Sequence, residues 1–154
     1  LKFNPADNSL WIGQTGRGWR SRGGANGAFQ KMTWNGVMPN AIKSVKATPT
    51  GFDIIFTQAQ PAGFGDISLR SWYYIDSANY GSPEKYRRDE KVSITWSADK
   101  LRCSLIVDDF KVESKEGTTN TSRVYHIDLE KTKFAEIGKF LANAYYTLHA
   151  IPKK

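Results

Sequence analysis

Residues 92–107 read VSITWSADKLRCSLIV, two short apolar runs on either side of Ser97-Ala98-Asp99-Lys100. In the second run Leu101, Cys103, Leu105 and Val107 fall on one side of an extended chain, because successive side chains of a strand point to opposite faces. Polar turn chemistry between two such runs predicts a β-hairpin. The same period of two recurs to either side. GFDIIFT (51–57) sets Phe52, Ile54 and Phe56 against Asp53 and Ile55, and is launched from Pro49-Thr50-Gly51. RVYHIDL (123–129) sets Tyr125, Ile127 and Leu129 against Val124, His126 and Asp128. ISLRSWYYI (67–75), AYYTLHAI (144–151), KSVKA (43–47) and NSLWI (8–12) read as further strands.

Short strands at this spacing, punctuated by Gly, Pro, Asp and Ser, predict an all-β fold: an immunoglobulin-like antiparallel β-sandwich. FAEIGKFLANA (134–144) breaks the rhythm. Its Phe134, Ile137, Phe140 and Leu141 recur at helical spacing, predicting one short helix near the C-terminus. Residues 1–24 do not share the strand rhythm of the rest and read as a linker or the trailing strand of a preceding domain, which leaves 25–154 for the sandwich.

At 154 residues the chain has the length of one domain and can bury a core without disulfides or a metal. Cys103 is the only cysteine, which excludes an intrachain disulfide and any CxxC or CxxCH motif, and its alternation marks a buried strand position. No apolar run is long enough to cross a membrane and no signal-peptide pattern occurs. The net charge is +7, and residues 1–46 hold seven basic side chains against Asp7 alone. The excess therefore sits in the first third, around GQTGRGWRSRGG (13–24), with its five glycines and three arginines. A basic field of this kind attracts acidic polymers or acidic protein surfaces, or stands as a solvated face without a ligand.

That glycine-rich stretch is not a phosphate loop. From Gly16 the GxGxxG offsets lead to Gly18 and then Ser21, and GxxxxGK[ST] is absent. His126 and His149 lack partners at ligand spacing, so no metal is predicted. Asp108-Asp109 reads as a polar turn, with a surface calcium ion as the alternative. A GxSxG elbow is missing too, and neither histidine has a nearby nucleophile, so no catalytic residue and no cofactor is expected.

What remains is aromatic and basic density. Aromatics make up 13% of the chain, and RSWYYIDSANYGS (70–82) gathers Arg70, Trp72, Tyr73, Tyr74 and Tyr80. In a strand Trp72 and Tyr74 share one face and Tyr73 takes the other. Flat rings pack on sugar faces while arginines hydrogen-bond hydroxyl or sulfate groups. The candidate ligand residues are therefore Trp72, Tyr74 and Tyr80 as stacking rings with Arg70 beside them, and Arg17, Arg20 and Arg22 as anion contacts around Trp19.

LWIGQTGRGWRSRGG (10–24), GAFQKMTWNGVMPNAIKSVKATPTGFDIIFTQ (27–58), SWYYIDSANYGSPE (71–84) and AYYTLHAIPK (144–153) together carry a resemblance. The chain resembles the C-terminal module that follows the β-propeller in secreted bacterial proteins similar to quinoprotein glucose or sorbosone dehydrogenases, many with a haem-binding domain. The resemblance implies that residues 1–24 leave the propeller, with Leu10–Gly13 as a last blade strand, and that the rest is an immunoglobulin-like appendage. It also implies a secreted or periplasmic location and the chain's own upstream propeller as a partner. It transfers no catalytic residue and no haem motif, and residues 130–143 depart from its pattern.

Three functions follow as expectations. The first is a non-catalytic module binding a polysaccharide or oligosaccharide, acidic or sulfated. The second is a docking module for the propeller or a redox partner, with Trp19 and Trp34 as anchors. It is favoured if the rings at 72–80 face inward and the only exposed aromatic patch is formed by residues 11–34. The third, nucleic-acid binding, is disfavoured by the missing recognition helix and by the acidic residues spread through the later strands.

Overall fold

A computed structural model describes residues 1–15, 27–74, 81–112, 122–134 and 142–153. The chain divides into two compact units, Leu1–Met38 and Pro39–Lys154.

The first unit is a three-stranded antiparallel sheet of β1 (Lys2–Asn4), β2 (Ser9–Thr15) and β3 (Gly27–Thr33), in that order. Asp7 shapes the first turn: its carboxylate accepts from the Ser9 backbone at 3.1 Å and the Ser9 hydroxyl at 2.6 Å, while Asn8 takes a left-handed φ of 55°. Lys31 reaches the same carboxylate at 2.8 Å from across the sheet. That hydrogen bond, with the one from Ser9, holds the Asp7 carboxyl down at about 2. Register puts Phe3, Leu10 and Met32 on one face and Trp11 and Lys31 on the other, where Phe29, opposite Gly13, stacks on Trp11. Both faces are thus apolar in part. Among the described residues of this unit, Ser9 alone is buried.

The second unit is the β-sandwich. One sheet has the order β4 (Ile42–Thr48), β5 (Gly51–Phe56), β9 (Arg102–Val107), β8 (Val92–Trp96). The other has the order β11 (Asn143–Leu148), β10 (Arg123–Asp128), β6 (Ser68–Tyr74), β7 (Glu84–Glu90). All pairings are antiparallel, and β8–β9 is the hairpin expected around residues 97–100. The alternation sorts the faces as the sequence implies: Phe52, Ile54, Phe56, Cys103, Leu105 and Val107 meet Leu69, Tyr125, Ile127 and Leu148 in one buried core. Phe52 packs edge-on to Phe110 and Tyr125, at centroid distances of 5.2 and 5.0 Å.

One side of this interior is polar. Arg123 and Glu90 are both 3% exposed, and Arg88 donates to the Glu90 carboxylate at 2.7 Å. Arg123 Nε donates to the Ser71 hydroxyl at 2.7 Å, and that hydroxyl donates to Glu90. The Arg123 guanidinium lies 4.5 Å from the centre of the Tyr73 ring. A buried charge needs this degree of pairing, since an uncompensated ion in the interior costs several kcal/mol, on the order of 3–5 when one partner is removed.

Two boundaries differ from the sequence reading. The division between units falls at 38/39 and not after residue 24, because β3 pairs along its whole length with β2 and leaves the sandwich to begin at β4. The helix expected over 134–144 lies largely outside the described residues. Phe134 takes helical backbone and is buried, but Asn143 and Ala144 belong to β11, where they pair with Asp128 and Ile127.

Candidate functional site

The outer face of the sheet β11-β10-β6-β7 collects two of the expected aromatic residues, Trp72 and Tyr74, and adds His126 and Tyr145. Cross-strand register puts Arg70, His126 and Tyr145 in one row and Trp72 and Val124 in the next, with Tyr74 further along β6. Tyr73 turns inward, buried, and its hydroxyl donates to the Val112 carbonyl at 2.7 Å.

Trp72 differs from the expectation of an exposed stacking ring. It is 4% exposed, and its ring meets those of Tyr74, His126 and Tyr145 at centroid distances of 6.3 Å each. Covered in this way, it acts as the floor of the face and not as its surface. Its indole Nε1–H is buried and finds no hydrogen-bond partner among the described residues. A donor in that position normally finds one, because leaving it unsatisfied costs on the order of 1–3 kcal/mol. Tyr74 is 38% exposed. Arg70 is half-buried and ion-paired to Asp128 at 3.4 Å. Tyr80, Arg17, Trp19, Arg20 and Arg22 lie outside the described residues, as does most of GQTGRGWRSRGG.

The most exposed described ring of this face is Tyr145, 65% accessible, which sequence reasoning did not single out. It stacks on His126 with centroids 4.5 Å apart and planes 5° from parallel. His126 is held in turn. The Asn143 amide nitrogen donates to Glu130 at 2.9 Å, so its carbonyl oxygen turns to His126 Nε2 at 2.6 Å. A carboxylate only accepts, which fixes the Asn143 orientation and puts a proton on His126 Nε2. The resulting line Glu130–Asn143–His126–Tyr145 holds one flat ring with its far face open. AYYTLHAI does show that Tyr145 and Tyr146 point to opposite faces. Only the β10–β11 register shows that Tyr145 lands on His126.

Elsewhere the polar groups are engaged within the protein. Asp109 bonds Arg88 at 3.3 Å and also Lys111; the Lys111 hydrogen bond, ahead of Arg88, depresses the Asp109 carboxyl. His149 Nδ1 meets the Ser122 hydroxyl at 2.6 Å. Burial, reinforced by the Asp53 charge, pushes the Cys103 thiol up to about 12. Among the described residues no cluster of three metal-ligating side chains forms, and no helix is long and apolar enough to cross a membrane.

A second surface stands out in the first unit. Leu1, Phe3, Phe29, Met32, Trp34, Val37 and Met38 are each more than half exposed, led by Leu1 at 89% and Phe29 at 72%. Comparison of the chain with protein-family models, with curated proteins and with solved structures finds no match.

Proposed function

We propose that the chain is a non-catalytic accessory module, and that its first 38 residues dock it onto a β-sheet surface of a propeller-type protein. The observation that carries this is the exposed apolar sheet of Leu1–Met38. Isolated sheets of so few strands are marginal in water unless one face is covered, and units below about 40 residues rarely supply their own core. Soluble surfaces seldom leave such contiguous apolar area without a partner. A sheet apolar on both faces fits between two other sheets, which is the setting a propeller blade provides. The resemblance to modules that follow a propeller in sugar dehydrogenase-like proteins supports this occupant. Phe29 and Trp34 are exposed while Trp72 and Tyr73 are buried, which supports docking, although the exposure of Tyr74 and Tyr145 leaves the sequence criterion met only in part.

The test is co-purification of the chain with a propeller domain of the sugar dehydrogenase type, and of its Phe29→Ser and Trp34→Ser variants. Retention of the parent and loss of the variants is expected; equal retention of all three, or of none, overturns the docking reading.

A second reading rests on a separate observation, the braced Tyr145 ring beside Arg70 and Tyr74. In it the sandwich, of immunoglobulin-like type, binds a polysaccharide on the outer face of β11-β10-β6-β7, in a secreted or periplasmic setting. Retardation in gels containing dissolved polysaccharide tests it. Unaltered migration in every neutral and sulfated polymer removes it.

A further inference from the structure

We infer that the Tyr145 face takes an uncharged glycan and disfavours an anionic one. This rests on the carbohydrate reading of the same face and sharpens it to a ligand class. Three observations converge.

The first is preorganisation. Tyr145 is 65% exposed yet parallel to His126 at 4.5 Å, and His126 is tied through Asn143 to Glu130. An exposed tyrosine with no role gains nothing from such bracing. A ring that must meet a flat ligand gains a surface already ordered before binding. Stacking on a pyranose uses the C–H face of the sugar and asks for no charge.

The second is the sign of the charges around that ring. Arg70 is the one cation in its row, and it is already paired to Asp128 at 3.4 Å. Asp89 is its register partner on β7, and Glu130 lies at the far end beside Asn143. On β7 Arg87 is likewise paired, to Glu84 at 3.5 Å, so among the described residues two guanidinium groups stand among four carboxylates. A sulfate or uronate arriving here meets net negative charge, and like charges brought together oppose binding.

The third is the orphan donor. Trp72 Nε1–H is buried, has no partner among the described residues and belongs to the same ring cluster, its centroid 6.3 Å from those of both His126 and Tyr145. The Asn143 amide at the same face is a neutral donor and acceptor of the kind that hydroxyl groups use.

The test is affinity electrophoresis of the whole chain in soluble mixed-linkage β-glucan, in hydroxyethyl cellulose, and in heparin and dextran sulfate. Tyr145→Ala and the conservative Tyr145→Phe are run beside it. Circular dichroism and the unfolding midpoint confirm that both variants fold, as an exposed position permits. The expected result is retardation by one or both uncharged polymers, weakened at least about tenfold by Tyr145→Ala, kept by Tyr145→Phe, and insensitive to salt. Salt-sensitive retardation by the sulfated polymers alone, lost in Tyr145→Ala, overturns this inference and leaves the carbohydrate reading standing; retardation unchanged in Tyr145→Ala overturns both. Retardation by none of the four overturns both.

Discussion

Glu90 is the residue on which the polar half of the interior turns. Its carboxylate receives Arg88 directly, and Arg123 lies 3.7 Å away, bridged by Ser71. Replacing it by Gln keeps the shape and removes the charge, leaving Arg123 buried without its counter-ion. We expect Glu90→Gln to lower unfolding free energy in urea by about 3–5 kcal/mol; a loss below about 1 kcal/mol would show that solvent reaches this cluster. Cys103 makes a different point. Both its thiol, ordinarily at 9.0, and the Tyr125 phenol, ordinarily at 10.0, are pushed up to about 12, with burial the leading cause for each. The protonated forms belong to the fold, so their contribution is complete below the unfolded values and is lost as pH rises through the folded ones. The urea midpoint should therefore fall between about pH 9 and about pH 12, and iodoacetamide should leave Cys103 unmodified at neutral pH until denaturant is added. Rapid alkylation of the native chain would contradict the burial.

Among the elements, strands with clean alternation were legible and strands without it were not. β5, β9 and β10 announce themselves because their inward faces are hydrophobic, and their observed limits lie within a residue or so of the expected ones. β7, EKYRRDE, escaped notice because its inward side chains are Arg88 and Glu90, an ion network where a core strand normally carries apolar residues. β3, GAFQKMT, was absorbed into the sandwich. Its pairing with β2 spans the 13–24 stretch, and no periodicity records which strand a segment will choose. The candidate site shows the same limit. Trp72 and Tyr74 were placed on one face by alternation within a single strand, whereas His126 and Tyr145 reach that face through pairings of β10 and β11. One local constraint was readable in kind: Gly51 stands where the turn after Pro49 feeds β5, at a φ of 153°, and a Cβ there would lie 2.0 Å from the Leu105 carbonyl oxygen. We expect Gly51→Ala to destabilise the sandwich by about 1–3 kcal/mol or more, measured by thermal or urea unfolding. An unchanged midpoint would mean that β5 and β9 separate at no cost.

At the scale of the whole molecule, the two units stand in different physical circumstances. Pro39–Lys154 holds every member of the buried core, with rings and aliphatic side chains from both sheets interleaved. Among its described positions Leu1–Met38 has backbone pairing, one salt bridge and one ring stack, but no buried apolar residue. Hydrogen bonds between strands hold a register; they do not supply the apolar burial that drives folding. A fragment comprising residues 39–154 should therefore unfold cooperatively with nearly the midpoint of the full chain, as followed by intrinsic fluorescence. A large drop on removing the first 38 residues would make them part of the sandwich's own support.

Amide hydrogen exchange on the free 154-residue chain tests most directly whether the N-terminal sheet waits for a partner. The account expects the amides of β5, β9 and β10 to exchange only through global opening, and those of β2 and β3 to exchange faster by at least about a hundredfold. Equal protection of β2, β3 and the sandwich strands in the free chain would contradict it.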